Sequence, residues 1–181
     1  MDEPVLKKQK VTDWENHTLN VSVLVKADTG MFLGDVAKEP VSAIKGIGKV
    51  SAKVLHNLGV ETVEDLGNYK YFQLARAITT LAVTEEKDKR PETSMMNIDH
   101  ALMKDSETKS LREIVDGPVS AFDGMTDAAG DVLAELGVKT VGDLATFKYC
   151  CWAESIVKLS KYEERKTAIE RRKEHELNKL A

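Results

Sequence analysis

Between positions 45 and 53 five residues combine the types that could hold an anion: Lys45, Gly46, Gly48, Lys49 and Lys53. Lysines supply positive point charges, and glycines leave the backbone beside them uncovered by a side chain. The chemistry open to such a patch is electrostatic capture, indifferent to base sequence and sensitive to salt. Elsewhere the reactive residue types do not gather. The four histidines, His17, His56, His100 and His175, are scattered, without carboxylates or cysteines at ligand spacing. Cys150 and Cys151 are neighbours in sequence. Adjacent cysteines rarely bridge, because the ring would be strained, and no Cys-x-x-Cys spacing exists for zinc. Two packed or half-packed thiols on a helix are expected. Phosphate loops, nucleophile elbows and paired-carboxylate signatures are missing too. The chain therefore reads as a non-enzyme, with no catalytic residue, no metal site and no cofactor expected.

The elements that position the lysine patch come from a chain of 181 residues with a formal net charge of −4, 42% hydrophobic and 31% charged. That is ordinary for a globular protein. The apolar run Val21–Val25 is far too short to span a membrane, and no membrane partner is expected. Met1-Asp2-Glu3-Pro4 does not open an apolar leader, so an intracellular protein is expected.

The main signal is an internal repeat. Pro40-Val41-Ser42-Ala43-Ile44 lies over Pro118-Val119-Ser120-Ala121-Phe122 at an offset of 78 residues, and the match runs on without a gap. Leu58-Gly59-Val60 meets Leu136-Gly137-Val138, Asp65-Leu66 meets Asp143-Leu144, and Lys70-Tyr71 meets Lys148-Tyr149. Across Pro40–Leu81 and Pro118–Leu159 there are 19 identities in 42 positions, which is duplication rather than coincidence.

Both copies read as helices. Val50, Val54, Leu55 and Leu58 fall on one helical face. Gly59 and Gly137 stand where a helix C-terminus favours a left-handed residue. Thr62-Val63-Glu64-Asp65 and Thr140-Val141-Gly142-Asp143 have the form of an N-cap with an acid three places on. The next helix is expected to bury Tyr71, Leu74, Ala75, Ile78 and Leu81, and its equivalent Tyr149, Trp152, Ala153, Ile156 and Leu159. Leu55, Leu58, Leu66 and Ile78, with Leu133, Leu136, Leu144 and Ile156, form the expected core. Four short helices make a small core, so the copies are expected to pack together or to share flanking helices.

Ile44-Lys45-Gly46-Ile47-Gly48-Lys49, followed by Ala52 and Val54-Leu55, resembles the hairpin of helix-hairpin-helix domains, a Gly-hydrophobic-Gly turn between two short helices. Leu58–Leu66 is similar to the segment that follows such a hairpin. The resemblance covers the two copies, about half the chain. It implies an all-α fold of two tandem four-helix modules. It also implies that the hairpin glycines bring backbone N–H groups up to a phosphate. Only the first copy keeps the charge for this. Lys45, Lys49 and Lys53 correspond to Asp123, Asp127 and Asp131, so a phosphate at the second hairpin would meet like charge. The first copy carries five Lys/Arg against three acids, and the second three against six.

Gly46-Ile47-Gly48 is equally a tight interhelical turn with no ligand at all. An acidic chain argues against tight binding of duplex nucleic acid. The preferred expectation is a scaffold or adaptor for unidentified protein partners. The alternative is sequence-nonspecific binding of a nucleic-acid backbone through the first hairpin, and a third class is an enzyme subunit whose chemistry lies in a partner.

The expected organisation is an extended segment over 1–31, a module over 32–83, a linker over 84–109, a second module over 110–160 and a charged helical extension over 161–181. Within the first segment, Lys7-Lys8-Gln9-Lys10 is a short basic run, and Leu19, Val21, Val23 and Val25 alternate like a strand. The linker is expected to hold one packed helix, with Met95, Met96, Ile98, Leu102 and Met103 as an apolar island filling a core gap. Lacking Gly and Pro after Trp152, the last helix is expected to run on past Leu159 with Tyr162, Ile169, Leu177 and Leu180 as a thin stripe.

Overall fold

The computed structural model describes residues 19–86 and 89–180. Lys7–Lys10 lie outside these. The chain divides into two units, Val23–Glu163 and the terminal segments Met1–Ser22 with Glu164–Ala181.

The first unit is all-α. Its helices are α1 (Leu33–Val36), α2 (Lys49–His56), α3 (Val63–Gly67), α4 (Lys70–Ala82), α5 (Leu111–Asp116), α6 (Asp127–Glu135), α7 (Val141–Ala145) and α8 (Lys148–Ser160). Short 3-10 turns at Val41–Ala43 and Val119–Ala121 precede α2 and α6. Local signals set the boundaries. Gly59 and Gly137 adopt φ of 75° and 82° after α2 and α6, a conformation that costs glycine little and other residues more. The Thr62 hydroxyl accepts from the Asp65 N–H, and the Asp65 carboxylate accepts from the Thr62 N–H in return. Thr140 and Asp143 repeat that box at α7.

The repeat is written into the hydrogen bonds as well as the helices. Isolated antiparallel bridges join Leu24 to Ile44 and Pro40 to Thr62, and their equivalents 78 residues on join Leu102 to Phe122 and Pro118 to Thr140. It therefore reaches beyond the segment in which the identities are dense. Leu24, not the alternating valines, is the buried residue of its segment, while Leu19 is exposed.

The copies exchange their last helices. Helix α4, from the first copy, packs on α5 and α7 of the second, and α8 packs on α1 and α3 of the first. Helices α2 and α6 meet across the same approximate two-fold. The exchange extends to caps: Glu163, just after α8, accepts from the Leu33 and Gly34 N–H groups at α1 (2.6 and 3.0 Å). Glu85, just after α4, accepts from Leu111 and Arg112 at α5 (3.0 and 3.3 Å). Each exchanged carboxylate meets the positive end of a short helix, where the first N–H groups have no intrahelical acceptor.

The exchange also fixes which faces are buried. Leu55, Leu66, Ile78, Leu133, Leu144 and Ile156 are buried, with Leu58 and Leu136 partly so. Phe72 and Cys150, on the exchanged helices, are fully covered, whereas Leu81 and Leu159 stay more than half exposed. The expected burial of those two leucines is corrected here: α4 and α8 turn their covered face to a partner helix in the other copy. Val50 is likewise exposed, at the open start of α2.

Between the copies there are two 3-10 turns, Asp99–Ala101 and Lys104–Ser106, where a packed helix was expected. Only Leu102 of the apolar island is buried; Met95 and Met96 are almost fully exposed. Leu102 is held because it is the equivalent of Leu24.

In the second unit, helix α9 (Ala168–Lys179) starts afresh. The expected continuous helix past Leu159 is corrected here: α8 ends at Ser160, and a new helix begins at the Thr167–Glu170 capping box, a start signal present in the sequence. Lys166 binds Glu164 and Glu174, both at 2.7 Å, and hydrogen bonds to these carboxylates hold its ammonium well above the usual lysine range. Ile169, Leu177 and Leu180 are exposed. Among the described residues no helix is long and apolar enough to cross a membrane.

Candidate functional site

The five candidate residues lie together at the turn into α2. Ile44 and Ile47 are buried and anchor the turn. Between them Gly46 has φ of 99°, a left-handed conformation that closes the hairpin. Gly48 is the N-cap of α2 in an extended conformation, with open space where a Cβ would be. Having no side chain, it leaves the first N–H groups of α2 without a side-chain acceptor. Lys45 and Lys49 flank the turn, Lys53 lies one helical turn beyond Lys49, and all three are exposed.

The second hairpin has the same backbone and opposite chemistry. Gly124 adopts φ of 80°, but Thr126 stands in place of Gly48 and its hydroxyl accepts from the Ala129 N–H at 3.1 Å. The α6 terminus therefore carries its own cap. Asp123, Asp127 and Asp131 are exposed where the first hairpin has its lysines. Because α2 and α6 are in contact, the lysine-bearing and aspartate-bearing helices are neighbours.

A tyrosine from the opposite copy closes each hairpin. The Tyr149 hydroxyl donates to the Gly46 carbonyl at 3.2 Å, and a Cβ on Gly46 would fall 2.7 Å from that hydroxyl. Tyr71 donates to the Asp123 carbonyl at 3.2 Å, and a Cβ on Gly124 would fall 2.8 Å from its hydroxyl. The close approach at these glycines is thus made by the protein itself. Both tyrosines are identities of the repeat, and their spacing marks them only as core residues; the pairing of each with the other hairpin has no signal within one copy. Lys148 lies over the Tyr149 and Trp152 rings, at 5.0 and 5.7 Å from their centroids.

A second polar cluster lies where α4 and α8 face one another. Glu154 is buried and bonds both Arg76 and Lys158, the latter at 2.7 Å. Arg76 also lies over the Phe72 ring, 5.6 Å from its centroid. Gln73, Thr80 and Leu81 complete the rim of a shallow cleft here.

The remaining candidate chemistry is dispersed. Cys150 is buried and Cys151 half-buried, both as free thiols, and burial pushes the Cys150 thiol far above the usual range. His56 is exposed and pairs with Glu61 at 3.3 Å. Among the described residues no group of three His, Cys, Asp or Glu side chains is arranged to hold a metal ion. Compared with protein-family models, curated proteins and solved structures, the chain has no match.

Proposed function

We propose that this chain is a non-enzymatic binding or adaptor protein that mediates protein–protein assembly inside the cell, built from two helix-hairpin-helix-like modules. The observation that carries the reading is the adjacency of α2 and α6. Helix α2 and the turn before it carry three exposed lysines, and the neighbouring α6 and its turn carry three exposed aspartates at the equivalent positions of the repeat. A polyanionic backbone extends well beyond one turn of helix, so a strand drawn to Lys49 and Lys53 would also meet the negative charge of the neighbouring α6. A folded protein surface can present both signs at that spacing, and complementary charge chiefly sets specificity and on-rate. The Tyr149 contact supports the same reading, since the space above Gly46 is taken.

One feature favours sequence-indifferent binding of a nucleic-acid backbone as a second reading. The first residues of α2 have N–H groups without a side-chain cap beside Lys45, Lys49 and Lys53, which is the arrangement a phosphate uses. A mobility-shift titration at two salt concentrations separates the two. The adaptor reading expects no retardation at moderate salt, for wild type or for Lys49→Glu/Lys53→Glu. Salt-sensitive retardation that disappears with Lys49→Glu/Lys53→Glu and survives Asp127→Lys/Asp131→Lys would overturn it in favour of the second reading. Tight binding that ignores salt would contradict both. Capture of partners from native extract with and without nuclease then distinguishes protein contacts from bridging by nucleic acid.

A further inference from the structure

Arg76 and Glu154 are the same position of the repeat, 78 residues apart, and they bond each other directly. A residue that meets its own equivalent lies on the two-fold relating the copies. At such a place two identical halves would set like against like. Here the two halves carry opposite charges, and Glu154, although also paired with Lys158 on its own helix, is buried enough that a like-charged neighbour across the two-fold would be costly. Helices α2 and α6, also in contact across the two-fold, differ in charge in the same sense: Lys49 and Lys53 are on one, Asp127 and Asp131 on the other. A first half meeting another first half would oppose arginine to arginine. A second half meeting itself would oppose glutamate to glutamate.

We propose that the Arg76–Glu154 contact determines pairing. The cognate surface for each half is the opposite half, in the same chain or in a second copy of it, and the like half is rejected. This holds whatever the hairpins bind. The exchanged helices and caps supply the affinity, because α1, α3, α5 and α7 are all covered by elements of the other half. The segment joining the halves can permit exchange between chains. Its residues 86–98 form no α-helix or strand where they are described, and a segment of that length can reach on the order of 40 Å. In the wild type the halves meet within one chain, since tethering gives an effective concentration in the millimolar range.

Two full-length variants test this. Arg76→Glu has glutamate at both positions, and Glu154→Arg has arginine at both, so neither can pair correctly within itself or with its own kind. Mixed, they can pair correctly twice, the first half of each with the second half of the other. Tagged Arg76→Glu and untagged Glu154→Arg are unfolded together in urea, refolded and captured on the tag. The expected result is a one-to-one heterodimer of twice the monomer mass. Its recovery should exceed that of a tagged and untagged wild-type pair by more than about tenfold. Alone, each variant should melt below wild type. The double variant Arg76→Glu/Glu154→Arg, complementary again within one chain, should be monomeric and melt near wild type. Absence of heterodimer overturns the proposal, as does equal recovery from the wild-type pair. Single variants as heat-stable as wild type also overturn it, as does a double variant as damaged as the singles. Should the singles fail to fold alone, co-refolding still decides the matter, because heterodimer either forms or does not.

Discussion

At the residue scale, backbone approaches backbone closely at Gly67, the buried last residue of α3. A Cβ there would lie 2.8 Å from the carbonyl carbon and oxygen of Ala153 in α8. Backbone cannot swing aside as a long side chain can, so α3 would have to lift away from the helix that covers it. Alanine is otherwise the better helix former, by about 1 kcal/mol, and at an open site Gly67→Ala would stabilise. Here the opposite sign is expected: a loss of about 1–3 kcal/mol, the usual cost of overpacking, read by urea denaturation. The equivalent position already holds Ala145, where Ala145→Gly should cost only about 0.5–1 kcal/mol. Stabilisation by Gly67→Ala would mean that α3 and α8 are not in the contact described.

At the scale of elements, the capping boxes of α3 and α7 make a prediction about pH. Backbone hydrogen bonds from Thr62 hold the Asp65 carboxyl below its usual range, and those from Thr140 do the same for Asp143. A carboxylate whose folded pKa is depressed stabilises the fold fully above its unfolded pKa, and that contribution is lost as pH falls through the folded value. Stability should therefore decline on acidification below about pH 4, the unperturbed aspartate range. In Asp65→Asn/Asp143→Asn, stability at neutral pH should be lower and the acid slope shallower, as measured by urea midpoints between neutral and acid pH. An unchanged slope would remove the boxes as its source. These boxes were legible in the sequence, as were the duplication and the glycines that end α2 and α6, because each is a matter of neighbouring residues. The Thr167–Glu170 box was equally local, and a helix with no Gly or Pro still breaks there. What no local pattern carries is the partner of a face. The apolar spacing of α4 marks a buried stripe, but packing on α5 and α7 selects Phe72 and leaves Leu81 outside. Glu85 and Glu163 look like two more surface acids until their helices are exchanged. The lysine-to-aspartate reversal was readable residue by residue, whereas the contact between the two helices that carry those charges, α2 and α6, was not.

At the scale of the whole molecule, exchange makes the repeat one cooperative object. Two modules joined by a linker would melt independently, each with its own midpoint. Here no half has a covered core without the other: Val36 and Val63 on α1 and α3 belong to helices that α8 overlays, and Ile114 and Leu144 to helices that α4 overlays. A single thermal transition is expected for residues 23–163, with calorimetric and van't Hoff enthalpies in agreement. Two resolved transitions, or a ratio of calorimetric to van't Hoff enthalpy near two, would show that the halves unfold separately.

The bond from Leu33 to Glu163 closes a loop of 130 residues, and this sets a schedule for the chain as it is made. When synthesis has passed α4, helices α1 and α3 still lack α8, and α1 still lacks the carboxylate that caps it. At ordinary elongation rates the missing elements arrive on the order of 4 to 16 seconds later. Throughout that interval a nascent first half presents the apolar faces of α1 and α3 without their cover, and its folding must wait for the ribosome to deliver the end of the second.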